Sequence, residues 1–240
     1  MSLSIILTSY NEVPLIFDSY EKIVSMMNLT KIEYELIIVD DGSRGEIQAQ
    51  LEGYFQKKAN TTLILSEVNE GRGSAVTKGL KRSTKRYAGF IDTDLEIPAY
   101  SLLNLYTVLK KGSFDAVIGR RFYLSAWNIC YWPRIVCSRM YFLLANFLLG
   151  LNFLDTETGI KIFKKNKILP ILDSVGSKGW FWDTEIIAEA LKKNLKITQV
   201  PVFVSRKQKR SSVNILRDTK NYLRALREYR EKRVAGNKRK

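Results

Sequence analysis

Four short apolar runs, each ending in an acidic or polar cluster, constrain the fold of this chain more than any other feature. Ser4–Thr8, Glu35–Val39, Thr62–Leu65 and Ala88–Ile91 are rich in Ile, Leu, Val and Phe, as expected of strands buried on both faces of a parallel sheet. Between them, Val13–Leu29, Glu46–Lys58 and Ser74–Ser83 have the mixed polarity of crossover helices. This repeated alternation predicts an α/β domain with a largely parallel sheet flanked by helices. A fourth helix around Tyr100–Lys111 and a strand at Asp115–Gly119 follow, and there the regular alternation stops.

The second region holds an aromatic loop (Phe122–Trp132), an apolar helix (Arg134–Leu149), a strand at Gly159–Phe163, a helix at Asp183–Lys193 and a strand at Ile197–Val204. A last helix, Asn214–Arg233, places Ile215, Tyr222, Leu223, Leu226 and Tyr229 on one face and arginines on the other. The 240 residues fit one large domain with a short appendage. We therefore expect a domain over 1–212, in halves 1–120 and 121–212, and a basic amphipathic helix and tail over 213–240.

Composition narrows the chemistry. The chain has no histidine, which excludes Ser-His-Asp and Cys-His catalysis, His-ligated zinc and imidazole acid/base chemistry. Its two cysteines, Cys130 and Cys137, have neither a metal-ligand spacing nor the look of a secreted framework, which suits a reducing cytoplasm. The net charge is +15, and residues 206–240 carry 14 Lys and Arg against 3 Asp and Glu, which leaves 25 against 21 for the rest. A basic tail on a nearly balanced body suits an anionic lipid surface or nucleic acid, or is simply a solvated helix. An apolar strand pattern follows Met1 directly, with no basic n-region, so no signal peptide is expected. The longest charge-free apolar stretch, Met140–Leu154, has 15 residues, short of the roughly 20 needed to span a bilayer.

In open α/β sheets the ligand lies beyond the carboxyl ends of the strands, and the residues there are unusual. Strand one is followed by Ser9-Tyr10-Asn11-Glu12, strand two by Asp40-Asp41-Gly42-Ser43, strand three by Asn69-Glu70-Gly71-Arg72-Gly73 and strand four by Asp92-Thr93-Asp94-Leu95-Glu96. Any one of these would serve as a helix cap or turn. Four at one sheet edge make a site. Asp92 and Asp94, two apart on an extended segment, would point the same way. Two hard carboxylates without histidine or thiolate select Mg²⁺ or Mn²⁺, completed by phosphate oxygens and water, with Glu96 joining directly or through water. The implied ligand is a diphosphate. Gly71 and Gly73 would let helix-terminal amides approach an anion, with Arg72 adding charge; the spacing matches neither the dinucleotide fingerprint nor a P-loop.

Taken in order, Ser9-Tyr10-Asn11-Glu12, Val39-Asp40-Asp41-Gly42-Ser43, Asn69-x-Gly71-Arg72-Gly73-x-Ala75 and Asp92-x-Asp94-Leu95-x-x-Pro98 resemble the signature of family 2 glycosyltransferases of the GT-A fold. Gly119-Arg120-Arg121, Trp132-Pro133-Arg134 with Ser138, Asp155 through Gly159 to Phe163, and Val200-Pro201-Val202 with Arg206 resemble the branch that makes polyprenyl-phosphate sugars, the dolichyl-phosphate mannose and glucose synthases. The resemblance implies nucleotide-sugar contacts from Ser9, Tyr10, Asn11, Glu12, Asp40, Asp41, Gly71, Arg72, Asp92 and Thr93. Of these, Tyr10, Glu12 and Asp40 would hold the nucleoside, and Asp41 would sit near the ribose or diphosphate. It implies metal ligation by Asp92, Asp94 and Glu96, and an acceptor phosphate received by Arg121, Arg134, Ser138, Arg206 and Ser211. Asp94, Arg121, Arg134 and Arg206 would carry catalysis. Residues 1–120 then become the nucleotide-sugar half and 121–212 the acceptor half. Where the branch often shows Gly-x-Ser-Lys, this chain has Lys209-Arg210-Ser211-Ser212. Trp180-Phe181-Trp182-Asp183-Thr184-Glu185 looks more like the UDP-using glucose type than the GDP-using mannose type.

The residues support the same acceptor on chemical grounds. A phosphate monoester, with a second pKa of about 6, is already a nucleophile at neutral pH and needs no general base. It needs arginines to hold it and a cation to stabilise the departing nucleoside diphosphate. A saccharide or other hydroxyl acceptor would instead need a carboxylate base, for which Asp155 and Asp183 or Glu185 stand available. Nucleic-acid binding by the tail is disfavoured, because the acidic strand ends would repel phosphate. The aromatic loop and Arg134–Leu149 could lie in a membrane interface or pack as core. Relatives with transmembrane helices carry them after the catalytic domain, so peripheral attachment on the cytoplasmic face, or a separate membrane-protein partner, is expected here.

Overall fold

The computed structural model describes residues 2–123, 132–152, 154–205 and 221–231. Seven strands form one sheet in the order β3-β2-β1-β4-β6-β5-β7. The strands are β1 (Ser2–Ser9), β2 (Glu33–Asp40), β3 (Thr61–Leu65), β4 (Tyr87–Ile91), β5 (Ala116–Tyr123), β6 (Ile160–Lys164) and β7 (Ile197–Val204). All run parallel except β6, which is antiparallel to both of its neighbours, β4 and β5. The expected α/β fold with a mostly parallel sheet is the fold found.

Alternation along the strands divides the core in two. Leu3, Ile5 and Leu7 of β1 and Leu36 and Ile38 of β2 face α1 (Val13–Asn28), α2 (Gly45–Phe55) and α4 (Ser101–Lys111). Ile6, Ile37 and Val39 face α3 (Arg72–Arg82), α6 (Lys165–Leu172) and α7 (Trp182–Lys192). Helix α6 is absent from the sequence-based expectation. It is only eight residues long and carries Pro170 inside, which reads as a breaker in sequence, yet Ile168, Ile171 and Leu172 bury against α7 and hold it in place.

A third cluster lies at the end of the second region. Tyr141, Ala145 and Leu149 of α5 (Trp132–Leu149) pack on Phe181 and Ala188 of the α7 segment and on Leu226 and Tyr229 of α8, a helix over residues 221–231. Tyr222 stacks edge-on against Tyr141 and donates its hydroxyl to the Trp180 carbonyl at 2.9 Å. The other side of α5 leaves Val136, Met140, Leu143 and Phe147 exposed, Phe147 by 86%. Among the described residues no helix is long and apolar enough to cross a membrane.

Candidate active site

The carboxyl ends of β1 to β4 are tied into one surface by their own polar residues. Asp40 is fully buried and turns its loop by accepting the Ser43 amide at 2.8 Å, the Ser43 hydroxyl and the Gln48 amide at 2.9 Å. Asp41 reaches the third loop, accepting the amides of Glu70 at 3.1 Å and Gly71 at 2.8 Å. Asn11, in a left-handed conformation (φ 55°), accepts the Arg44 amide, and its own amide donates to the Ser43 hydroxyl. Thr93 turns inward, donating to the Thr8 carbonyl at 2.6 Å. Tyr10 stands about half exposed at the rim. Ser9 keeps its hydroxyl buried with no hydrogen-bond partner among the described residues.

Two expectations need correction here. The anion cradle expected at the head of α3 is partly filled by the protein's own groups. Asp41 takes the amides of Glu70 and Gly71, and the Lys178 carbonyl takes that of Ser74. Gly71 is still required, since its φ of 107° and the Lys178 carbonyl 2.7 Å from where a Cβ would stand exclude a side chain. Nor is Asp92–Glu96 an extended segment. Strand β4 ends at Ile91, and the Leu95 amide bonds back to the Asp92 carbonyl with Leu95 at φ 45°. The turn ends the alternation that would have aligned Asp92, Asp94 and Glu96, and among the described residues no three acidic, His or Cys side chains converge as a metal-ligand group.

Asp92 and Asp94 nevertheless share a field. One Asp94 oxygen accepts the Glu96 amide within the turn. Burial pushes the Asp92 carboxyl above its ordinary range, Arg72 opposes this, and the charges of Asp94 and Asp183 add to it. Partial burial and the same Asp94 charge also raise Glu12. The Asp94 charge thus works against ionisation of both Asp92 and Glu12, and a cation beside it would relieve both. A pair of carboxylates is also what Mg²⁺ or Mn²⁺ needs when phosphate and water complete its shell.

Arg72 joins this corner to the second region. Its Nε and Nη2 donate to one oxygen of Asp92, and its Nη1 donates to Asp183 at 2.5 Å. Burial works against its charge, but Asp183 and Asp92 hold the guanidinium protonated more firmly than water would. The half-exposed Trp180 ring covers it, 5.4 Å from ring centre to guanidinium carbon. Lys161, wholly buried on β6, donates to the other Asp183 oxygen at 2.5 Å and to the Thr158 carbonyl at 2.7 Å. Gly159 lies against Asp92, and a Cβ there would stand 1.8 Å from Asp92 Oδ2. Lys161 and Gly159 are not among the candidates that sequence reasoning supplies. The available signal was a lysine set in the apolar run Ile160, Ile162 and Phe163.

Arg121, at the end of β5, is held by Asp155 and Glu157. Its Nε and Nη2 contact Asp155 at 2.7–3.1 Å, its backbone amide donates to Asp155 at 2.9 Å, and Nη2 reaches Glu157 at 3.1 Å. Burial opposes its charge, and Asp155 leads the groups that keep it protonated. The side chains of Arg134 and Ser138, and Arg206 and Ser211 entirely, lie outside the described residues.

A family model described as glycosyl transferase family 2 matches residues 4–169. The chain belongs to glycosyl transferase family 2. This is the family its motifs resemble. Among curated proteins, the domain is 26% identical over 213 residues to a dolichyl-phosphate β-glucosyltransferase of Dictyostelium discoideum, covering 83% of this chain and 65% of that protein. A yeast (Saccharomyces cerevisiae) protein of the same name is 26% identical over 219 residues, covering 83% of this chain and 66% of that protein. The glycosyltransferase AglD of Haloferax volcanii is 25% identical over 84% of this chain and 33% of its own length. The chain thus spans about two thirds of the first two relatives and one third of the last.

Among solved structures, the glucosyl-3-phosphoglycerate synthase of Mycobacterium tuberculosis, in complex with Mn²⁺, UDP and glucosyl-3-phosphoglycerate, superposes with a TM-score of 0.68 at 19% identity, over 95% of this chain and 79% of that one. A Pyrobaculum calidifontis mannosyltransferase bound to GDP-mannose and Mn²⁺ gives 0.59 at 15% identity, over 86% and 57%. The fold of this glycosyltransferase domain is GT-A.

Proposed function

We propose that this domain moves a hexose from a nucleotide sugar to a polyprenyl phosphate, inverting the anomeric carbon and releasing a nucleoside diphosphate. UDP-glucose is the first choice of donor, supported by the two relatives named dolichyl-phosphate β-glucosyltransferase.

One observation carries the choice of acceptor. The three carboxylates that the sequence offers as a base for a hydroxyl acceptor are all engaged: Asp155 by Arg121, Asp183 by Arg72 and Lys161, and Glu185 by the amides of Gly176 and Ser177 at 3.0 and 2.8 Å. Breaking a buried pair to free a base costs about 3–5 kcal/mol. A phosphate acceptor needs no base, because its dianion attacks the anomeric carbon directly as the C–O bond to the diphosphate breaks.

On the donor side, Asp92 and Asp94 would hold Mg²⁺ or Mn²⁺, whose chemistry is to stabilise negative charge on the departing diphosphate. Tyr10, Asn11 and Glu12 line the nucleoside end, and Ser9 offers a buried hydroxyl that a ligand could satisfy. Asp40, Asp41, Gly71 and Thr93 shape the loops that present these groups, and Arg72 orients Asp92. On the acceptor side, Arg121, Arg134 and Arg206 with Ser138 and Ser211 receive the phosphate, and Asp155 fixes the Arg121 fork.

The exposed stripe of α5 fits an interfacial position beside a lipid substrate. Arg224 and Arg227 of the adjoining α8 stand in solvent, paired with Glu228 and Glu231, and their outer N–H groups would meet anionic headgroups. We place the domain peripherally on the cytoplasmic face, with room for a membrane-protein partner.

Purified protein is assayed with labelled UDP-glucose and GDP-mannose against a short polyprenyl phosphate, the free polyprenol and a soluble sugar. Transfer to the phosphate alone, with a β-linked product by NMR and with Arg134→Ala and Arg206→Ala raising acceptor KM about tenfold or more while nucleotide binding holds, is expected. Equal use of the free alcohol, or wild-type rates in both variants, overturns the reading.

A further inference from the structure

A lysine with no exposed surface calls for an explanation that stability does not supply. Replacing a buried ion pair by apolar side chains of similar volume is often neutral or stabilising. The pair of Lys161 with Asp183 is, however, the inner end of a chain of charges. Lys161 occupies one Asp183 oxygen, Arg72 Nη1 occupies the other, and the opposite edge of the guanidinium, Nε and Nη2, grips Asp92. Two cations and two anions alternate along a line that starts inside the sheet and ends at Asp92. The chain spans strand β6, helix α7, helix α3 and the turn after β4.

The guanidinium is planar and rigid, so fixing it at Nη1 fixes the direction of its other edge. Phe90 lies 5.1 Å beneath the guanidinium carbon and Trp180 5.4 Å from it on the solvent side. The rings restrict its tilt, and within its plane the fork is aimed by its aliphatic stem and by the acceptors at its two ends. Asp183 supplies the end remote from Asp92. Lys161 in turn fixes Asp183, and the Phe90 ring lies 5.1 Å from the Lys161 ammonium.

We propose that Asp183, seated by Lys161, is a positioning residue: it anchors Arg72 at its far end and through Arg72 sets the orientation in which Asp92 receives the metal and nucleoside diphosphate. The inference rests on the donor site proposed above and concerns how Asp92 is oriented. Asp183 acts without touching substrate, and its influence reaches the donor only through the Arg72 fork.

Two double variants separate positioning from packing. In Lys161→Met/Asp183→Ala the buried pair becomes apolar and Arg72 loses its far acceptor. In Lys161→Met/Asp183→Asn the charges are removed equally, but the side-chain amide oxygen introduced by the second substitution can still accept from Nη1. UDP and GDP are titrated calorimetrically in the presence of Mn²⁺, with unfolding followed by circular dichroism. Whichever nucleotide binds the wild type is used for both variants. The alanine double is expected to bind at least tenfold more weakly and to melt a few degrees below wild type, since Arg72 also loses a buried acceptor. The asparagine double is expected to return to within about threefold of wild type. Equal affinities in the two doubles overturn the positioning role, whatever their level. A wild type that binds neither nucleotide with Mn²⁺ overturns the donor-site reading, and this inference with it.

Discussion

The hydroxyl of Tyr141 on α5 lies 3.0 Å from the hydroxyl of Thr184 on α7, and Thr184 lies a further 3.0 Å from Thr156. The side of α5 opposite its exposed stripe is thereby bonded, through one threonine, to the loop whose neighbouring residues Asp155 and Glu157 hold Arg121. Tyr141→Phe deletes the first link and leaves Thr184 its bond to Thr156. A buried hydrogen bond of this kind contributes about 1 kcal/mol, so a fall of a few degrees in thermal midpoint is expected by calorimetry. An unchanged midpoint would mean that the link adds nothing to the docking of α5.

Gly159→Ala tests the fit around Asp92. The new methyl would stand 1.8 Å from Asp92 Oδ2, so the carboxylate must leave its present position and its bonds to Arg72 are disturbed. We expect Mn²⁺-dependent nucleotide binding to weaken at least tenfold, with far-ultraviolet dichroism unchanged. Binding at wild-type strength would mean that the site tolerates a displaced Asp92.

Asp94→Asn removes a charge that acts on both Asp92 and Glu12. Transfer should fall by about 10²-fold or more while the fold persists, since electrostatic groups at a departing anion are commonly worth that much. EDTA should have the same effect on the wild type. Full turnover in either experiment would remove the metal from the mechanism.

Met140→Glu/Phe147→Glu puts two charges on exposed positions of α5. Stability should change little, because neither side chain is buried. Sedimentation with anionic vesicles should drop several-fold. Retained binding would assign membrane attachment to the residues beyond 205.

Glu70 gives a pH signature. Lys78, then Lys178 and Ser74, hold its carboxyl down at about 2, against an ordinary value of 4.5. A carboxyl lowered by folding adds stability that is fully present above 4.5 and is lost as pH falls from 4.5 towards 2. Glu70→Gln should therefore melt slightly below wild type at pH 7, with the gap narrowing below pH 4.5. The gap is small because the group is open to solvent screening. A gap constant over that range would show that the pairs with Lys78 and Lys178 do not stabilise the fold.

Strands and crossover helices were legible because their periodicity is local: Ile5, Ile6, Leu36 and Ile37 announce a two-sided sheet without reference to anything distant. That the polar strand ends gather at one edge of the sheet was legible for the same reason. What those residues do to one another was not. Asp40 looked like a ligand contact and folds its own loop. Asp183 looked like a base and is bound on both sides by cations, one of which comes from a strand that runs against the others. Such pairings depend on register between β4 and β6, which no spacing within either segment encodes.

The antiparallel strand has a consequence for how the chain is made. β6 lies between β4 and β5, so although β5 leaves the ribosome first, it has no place in the sheet until β6 arrives. Until then β4 presents an unpaired edge, which favours non-native strand pairing. The strand that closes this edge also brings Gly159 and Lys161 to Asp92. Nascent chains truncated before residue 160 should therefore be the ones that chaperones hold, and they should gain nucleotide affinity only once β6 is inserted.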